Sequence, residues 1–201
     1  MIEYDTGTLT IGGEDVQFAR FPAYVHSHVA RVPGTAHIEA MATNLSAAGF
    51  RESDAADFIR AVCKWGGYAG IAGRVFRDNP LTDLAASLRR AATDASEGLP
   101  VKTAIRPLVS ISGFGVSFAS KHLRFLAPRS CAILDSRMAA ATGFPSTPDG
   151  LAQYSDLCCR LAGQLTARKT WNPVPRPRGA WYAADVDMAL FAITSHWADA
   201  P

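Results

Sequence analysis

Two ionisable residues near the middle of the chain have the types and the setting for acid–base or nucleophilic chemistry. Asp135 ends a short apolar run, and Lys121 lies earlier, one helical turn after Ser117. A carboxylate can stabilise developing positive charge and activate water, and a lysine can act as a nucleophile when its amine is desolvated. Asp135 also suits the N-cap of a helix that begins at Ser136, and the two roles are compatible. We therefore predict that Asp135 is catalytic, with Lys121 as the second candidate.

A pair of glycines lies upstream of these residues, between two segments with helical periodicity. Gly113 and Gly115 flank Phe114, and the polar side of the following helix carries Ser117 and Arg124. Glycine lets the backbone approach a ligand closely, and the first turn of a helix has unpaired amides, so this loop can bind a phosphate. The formal net charge is only +2, so binding of nucleic acid requires a local feature of this kind. Two glycines between helices also occur as a plain turn.

The same segment resembles the helix-hairpin-helix DNA glycosylases, in which Leu-Pro-Gly-Val-Gly precedes a helix and a later apolar run ends in an aspartate. In this chain the corresponding stretches are LVSISGFG at 108–115 and AILD at 132–135. Asp135 follows Gly115 by 20 residues (135 − 115 = 20), as in the endonuclease III and adenine glycosylase branches. The stretches ASKHLRFLAP and ILDSRM are more similar still to small bacterial proteins described as having an 8-oxoguanine-glycosylase-like fold.

The resemblance implies a DNA glycosylase that flips a damaged or modified base and breaks its N-glycosidic bond, with Asp135 stabilising the oxocarbenium-like sugar. In the branches that cleave the strand, a lysine two residues after the second glycine forms a Schiff base with the sugar. Here that position is Ser117. The departure implies a monofunctional enzyme that hydrolyses the bond in base excision repair. Lys121 projects on roughly the same side of the helix and is retained as an alternative nucleophile or a phosphate contact.

The cysteines and histidines do not form metal-binding patterns. The iron–sulfur cluster of several related branches needs four spaced cysteines near the carboxyl end, which the adjacent Cys158 and Cys159 cannot supply. His26, His28 and His37 lack a clustered carboxylate and the helical i, i+4 spacing of a zinc site. We predict no metal, no iron–sulfur cluster and no cofactor, with DNA as the partner and a monomeric protein.

Aromatic and basic residues elsewhere could complete the site. A flipped base needs a pocket with aromatic or apolar walls, for which we select Trp65, Tyr68, Phe144 and Trp181. The linker at 168–182 is basic and rich in proline, and it is either a phosphate-binding segment or a solvated crossing between two helices. The predicted DNA contacts are Gly113, Phe114, Gly115, Ser117, Arg124, Arg176 and Arg178.

Hydrophobic periodicity predicts a mostly α-helical chain, with two helical lobes around a cleft, as a single domain over residues 1–201. The predicted helices span residues 36–48, 53–65, 82–95, 116–126, 149–165 and 183–197. Two alternating stretches around Gly12-Gly13 predict a hairpin or extended segment, within an N-terminal arm that we place at residues 1–30. The hairpin and the aspartate segment occupy residues 104–138.

The amino-terminal stretch MIEYDTGTLT lacks the basic and apolar regions of a signal peptide. No apolar run approaches the roughly 20 residues that span a bilayer, so we expect an intracellular, cytoplasmic protein without a membrane partner.

Base excision repair is one of several functions that the sequence leaves open. The fold resemblance implies an oxidised purine such as 8-oxoguanine as the substrate. One alternative is removal of modified bases from phage DNA in antiviral defence. The others are a helix-hairpin-helix DNA-binding protein without catalysis and an all-α interaction domain.

Overall fold

The computed structural model describes residues 3–4, 7–11 and 14–197 of the chain. Most of this part is helical, which confirms the predicted fold class. The helices are α1 (Phe21–Arg31), α2 (Thr35–Ala47), α3 (Glu52–Trp65), α4 (Gly70–Asp78), α5 (Leu81–Ser96), α6 (Val101–Ala104), α7 (Arg106–Val109), α8 (Val116–Leu126), α9 (Ser136–Thr142), α10 (Pro148–Ala167) and α11 (Ala183–Thr194). Within the described ranges, none of these helices combines the length and the hydropathy needed to cross a membrane.

A small antiparallel sheet precedes the helices. Its strands are β1 (Glu3–Tyr4), β2 (Thr8–Ile11) and β3 (Glu14–Gln17), which pair in that order. Leu9, Ile11 and Val16 are buried, as expected for the apolar face of a sheet that packs on a core. The pairing of β2 with β3 agrees with the predicted hairpin, whose turn at Gly12-Gly13 lies outside the described residues.

The chain is already helical where the sequence predicted an N-terminal arm up to residue 30. Helix α1 begins at Phe21, and Pro22 lies in its first turn, where the missing amide of proline is tolerated. Phe21, Val25 and His28 recur at helical spacing and are buried. Aromatic and β-branched residues are weak helix formers in isolation, so packing of α1 against α11 decides its conformation.

The helices pack in two groups, which are joined by α8 and by the packing of α6 against α10. In one group, α3 packs against α2, α4 and α5, and α5 packs against α6 and α7. In the other, α11 packs against α1, α9 and α10. Helix α8 contacts members of both groups, and its residues 119–125 are all buried. Side chains of α8 can therefore reach any space that remains between the groups.

The glycine loop joins α7 to α8 and is fastened to the end of α4. The side-chain amide of Asn79 donates to the Ser112 carbonyl at 3.0 Å, and the Ser112 N–H donates back to Asn79 Oδ1 at 3.0 Å. Gly113 has a φ of +95°, and a Cβ there would lie 3.3 Å from Val75 Cγ2. That left-handed conformation favours glycine. Gly113 and Gly115 remain exposed, so the loop backbone is open to a ligand.

Candidate active site

A cavity of about 200 Å³ lies where the two groups of helices meet. Its walls come from the ends of α1 and α3, from α8, from the connector before α9 and from α11 and the residues after it. The charged residues on the wall are Lys121, Arg124, Asp135 and Asp187. The rings on the wall are those of His28, Trp65, Phe191 and Trp197.

Asp135 is held at the cavity by a buried extended connector and by the start of α9. Upstream, the Leu134 N–H donates to Ser120 Oγ at 3.2 Å, which fixes the connector to α8. Asp135 is the N-cap of α9, and its Oδ1 accepts a hydrogen bond from the Met138 N–H at 3.0 Å. The predicted N-cap is therefore present. Capping occupies Oδ1, and Oδ2 faces Lys121.

Lys121 reaches the same point from α8. Its Nζ lies 3.5 Å from Asp135 Oδ2 and donates to Ser117 Oγ at 3.1 Å. The side chain is only 8% exposed. Burial lowers the pKa of Lys121, and the neighbouring Asp135 carboxylate only partly opposes this effect. A buried amine with a lowered pKa is a better nucleophile than a solvated lysine.

Gly66 makes room for the lysine. The turn after α3 places its backbone against the aliphatic stem of Lys121, and a Cβ on Gly66 would lie 2.9 Å from Lys121 Cδ and 3.1 Å from the Val62 carbonyl. The stretch WGG at 65–67 therefore has two roles. It ends α3, and Trp65, Gly66 and Gly67 line the cavity.

Asp187 is a second carboxyl group on the cavity wall, and the sequence analysis missed it. It lies within α11, is almost fully buried, and accepts a hydrogen bond from the Tyr154 O–H at 2.8 Å. Burial raises the pKa of Asp187 to about 7, although the Tyr154 hydrogen bond and the charge of Arg124 favour the ionised form. The signal in the sequence is an aspartate that follows Val186 on the apolar side of a helix, two residues after the capping Asp185.

Arg124 and Arg176, both predicted DNA contacts, are engaged inside the protein. Arg124 is wholly buried, and its Nη1 donates to Glu39 Oε1 at 2.7 Å. Arg176 donates to Glu39 Oε2 at 2.8 Å and to Asp185 Oδ1 at 2.6 Å. Burial works to raise the pKa of Glu39, but the two arginines together hold it below its ordinary value. This network fastens the linker at 168–182 to α2, α8 and α11. Both guanidinium groups are therefore mostly buried, and a contact of Arg124 or Arg176 with DNA stays a prediction.

The remaining predicted DNA contacts lie on or near the surface, except for one side chain. Gly113, Gly115 and Arg178 are exposed, and Ser117 is half-buried beside Lys121. The Phe114 side chain is buried, and its ring lies 4.6 Å from that of His122. Phe114 therefore anchors the loop, which corrects the prediction that its side chain contacts DNA.

Only one of the four aromatic residues predicted for a base pocket lines the cavity. Trp65 does so from the end of α3. Tyr68 is 53% exposed, Trp181 is buried, and Phe144 packs against Tyr154. These three residues do not line the cavity. Tyr68 lies in the turn after α3, Phe144 follows α9, and Trp181 packs with the linker.

A cluster of three rings contributed by α1, α11 and the residues after α11 forms the rest of the aromatic wall. The ring centroid of His28 lies 5.8 Å from that of Phe191 and 6.0 Å from that of Trp197, and the latter two are 5.3 Å apart. The sequence places Trp197 on the buried side of its last predicted helix but gives no sign that α1 faces it.

The structure offers no metal-binding cluster in the part of the chain that it describes. No group of three or more His, Cys, Asp or Glu side chains is close enough there to hold an ion. The four cysteines are unpaired thiols, three of them buried. The groups available for chemistry in the cavity are therefore the amine, the carboxyls, the guanidinium and the imidazole described above.

Comparisons with curated proteins and with solved structures gave no match. A comparison with protein families matches residues 28–191 to the family described as "Putative 8-oxoguanine DNA glycosylase OGG-like protein". The matched region contains the glycine loop, Lys121, Asp135 and Asp187. Because it spans well over half of the chain, the protein belongs to this OGG-like 8-oxoguanine DNA glycosylase family.

Proposed function

We propose that the protein is a DNA glycosylase that releases an oxidised purine, with Asp135 and Lys121 acting at the sugar carbon C1′. The observation that carries this proposal is the 3.5 Å separation of Lys121 Nζ and Asp135 Oδ2 in a mostly buried cavity. Cleavage of the C1′–N bond leaves positive charge on the sugar, and a fixed carboxylate in a water-poor site stabilises that charge strongly.

Lys121 is the nucleophile in the proposed reaction. Its nitrogen forms a bond to C1′ while the C1′–N bond of the base breaks, and that electron pair leaves with the base, which then takes up a proton. The lysine nitrogen loses a proton, for which Asp135 Oδ2 is an acceptor within reach. Opening of the sugar ring then gives a Schiff base, from which β-elimination breaks the strand on the 3′ side.

This proposal departs from the monofunctional enzyme that Ser117 implies. Ser117 occupies the position of the lysine in strand-cleaving relatives, but Lys121 lies one turn further along α8 and hydrogen bonds to the Ser117 hydroxyl. The Lys121 amine is therefore adjacent to the position that the lysine occupies in the strand-cleaving relatives. In the hydrolytic alternative, Lys121 stays an ammonium that orients Asp135, and Asp135 activates a water molecule.

The exposed loop at Gly113 and Gly115 is the proposed contact with the DNA backbone. Its amides precede the first turn of α8, where unpaired N–H groups favour an anion. Lys121 and Ser117 lie on the helix that begins there. A phosphate held by the loop would therefore fix the register of the strand relative to the cavity.

The test is incubation of the protein with duplexes that contain 8-oxoguanine, hypoxanthine, 1,N6-ethenoadenine or a hypermodified pyrimidine. Strand breaks without alkali, together with a covalent complex trapped by borohydride in wild type and absent in Lys121→Gln, are the expected result. Breaks that need hot alkali would assign the hydrolytic mechanism. Lys102→Gln, which removes an exposed lysine paired with Asp149, is the matched control.

The same panel separates the biological roles. Release of 8-oxoguanine supports base excision repair, and selective release of hypermodified pyrimidines supports removal of modified bases from phage DNA. A protein that binds every duplex and leaves all of them intact is the non-catalytic DNA-binding alternative.

A further inference from the structure

Arg124 and His28, which line the cavity, have buried polar atoms that the proposed chemistry does not use. Arg124 Nε and Nη2 are buried and have no hydrogen-bond partner among the described residues, and the same holds for His28 Nδ1. Asp187, on the same wall, accepts a hydrogen bond from Tyr154. A buried donor left unpaired typically costs a protein on the order of 1–3 kcal/mol, so such groups call for an explanation.

The ion pair with Glu39 determines which part of Arg124 is free. Glu39 accepts from Nη1, at one end of the guanidinium. Nε and Nη2 form the opposite edge, which presents two parallel N–H donors. Glu39 is itself fixed by Arg176 through two hydrogen bonds, of 2.8 and 3.0 Å. The pairing with Glu39 therefore fixes the orientation of the unpaired edge of the Arg124 guanidinium.

Asp187 completes a pattern of a donor beside an acceptor. Arg124 and Asp187 both line the cavity, and the charge of Arg124 acts to lower the pKa of Asp187. Trp65 and Phe191 line the same cavity and provide apolar ring surface for a planar group.

We propose that Arg124 and Asp187 read the edge of the flipped base and select a lactam, which is a ring N–H beside a carbonyl oxygen. This inference rests on the proposed function. The guanidinium edge donates to the carbonyl oxygen, and the carboxylate accepts from the ring N–H. Guanine, 8-oxoguanine and hypoxanthine present this edge. Adenine presents a ring acceptor beside an amino donor. Arg124 would then face the amino donor and Asp187 the ring acceptor, so neither hydrogen bond would form.

The test measures binding, so that it does not depend on catalysis. In an Asp135→Asn background, affinity is measured for three duplexes that differ at one position, which holds 8-oxoguanine, 1,N6-ethenoadenine or a tetrahydrofuran abasic analogue. Ethenoadenine has no lactam edge. Adding Asp187→Asn replaces a carboxylate, which only accepts hydrogen bonds, with an amide that also donates them. Asp149→Asn is the control outside the cavity.

We expect the Asp135→Asn protein to prefer the 8-oxoguanine duplex to the ethenoadenine duplex by about 10- to 100-fold, the range of one good bidentate base contact. Asp187→Asn should abolish this preference while affinity for the abasic duplex stays within about two-fold, since no base then occupies the cavity. Arg124→Lys, which keeps the charge beside Glu39 but loses the parallel donors, should reduce the preference in the same way.

The lactam proposal is overturned if the parent protein shows no preference, or if Asp187→Asn weakens all three duplexes equally. The proposed glycosylase function fails separately, if wild type releases no base from any duplex while the binding preference persists.

Discussion

The two carboxyl groups of the cavity have opposite environments. Asp135 lies at the start of a helix, is 20% exposed, and has an amide on one oxygen and an ammonium near the other. Asp187 lies inside a helix, is almost fully buried, and accepts hydrogen bonds from the Tyr154 hydroxyl and the Ile133 backbone. The pKa of Asp187 is raised to about 7 by burial. Two residues of one type thus have different burial and different hydrogen-bond partners.

The comparison indicates a division of labour. A partly exposed carboxyl group beside an amine suits the reacting sugar, where charge develops. A buried carboxyl beside an arginine suits a group that must be recognised. The following predictions test this division, from the largest expected effect to the smallest.

Asp135→Asn should lower the single-turnover rate of base release by about 10³-fold, within the range for loss of a positioned acid or base. Asparagine is also a good N-cap, so the midpoint of thermal unfolding should stay close to that of wild type. Asp149→Asn should leave the rate unchanged. A rate within a few-fold of wild type in Asp135→Asn would remove Asp135 from the chemistry.

Gly66→Ala should lower the rate by about 10²-fold, because the new Cβ would lie 2.9 Å from Lys121 Cδ and displace the amine from Asp135. Gly73→Ala is the matched control, since a Cβ there meets no atom of the described chain within 4 Å. The measurement is the rate at saturating protein, together with the yield of the borohydride-trapped complex. Equal activity of the two variants would contradict the packing of Lys121 against Gly66.

Asp187→Asn should stabilise the fold at alkaline pH. A carboxyl whose pKa is raised on folding favours the native state below its unfolded pKa and opposes it once ionised, so this stabilisation of wild type is lost as pH rises from about 4 to about 7. The gain in unfolding free energy from the substitution should be larger at pH 8 than at pH 5, by on the order of 2–3 kcal/mol. Urea unfolding of both proteins at the two pH values measures it, and a pH-independent difference would contradict the raised pKa.

Ser117→Ala should lower the rate of base release by only about five-fold. The substitution removes one hydrogen bond to Lys121 Nζ, worth about 1 kcal/mol, and leaves the amine beside Asp135. Ser96→Ala, at the end of α5, is the control, since it also removes one serine hydrogen bond, at an exposed position. A loss as large as that of Asp135→Asn would instead assign Ser117 a direct part in the reaction.

Much of the reactive segment was predictable because its residues are close in the chain. Helical periodicity gave α8 with its observed ends, the apolar run gave the connector, and Asp135 could be recognised as an N-cap. These are local properties, determined by residue type and by spacing along one helix or turn. The glycine loop was predictable for the same reason, because its two glycines lie between two helical segments.

The inner wall could not be predicted in this way. His28, Arg124 and Asp187 come from α1, α8 and α11, and each alone looks like a residue on an ordinary helix. Arg124 and Arg176 were predicted to contact DNA because one lies on the polar side of its helix and the other lies in a basic linker. Glu39 on α2 pairs with both of them through one carboxylate.

The sequence by itself determined the helical class, the hairpin loop and the placement of Asp135 at a helix start, all of which depend on short-range spacing. Only the tertiary structure decided that Lys121 faces Asp135 and that Arg124 and Asp187 share a cavity wall. The physical reason is that burial and charge pairing depend on which helices pack together. That packing places His28 and Asp187 on the wall of one cavity. It therefore determines whether an ionisable group is solvated, paired within the protein or available to a ligand.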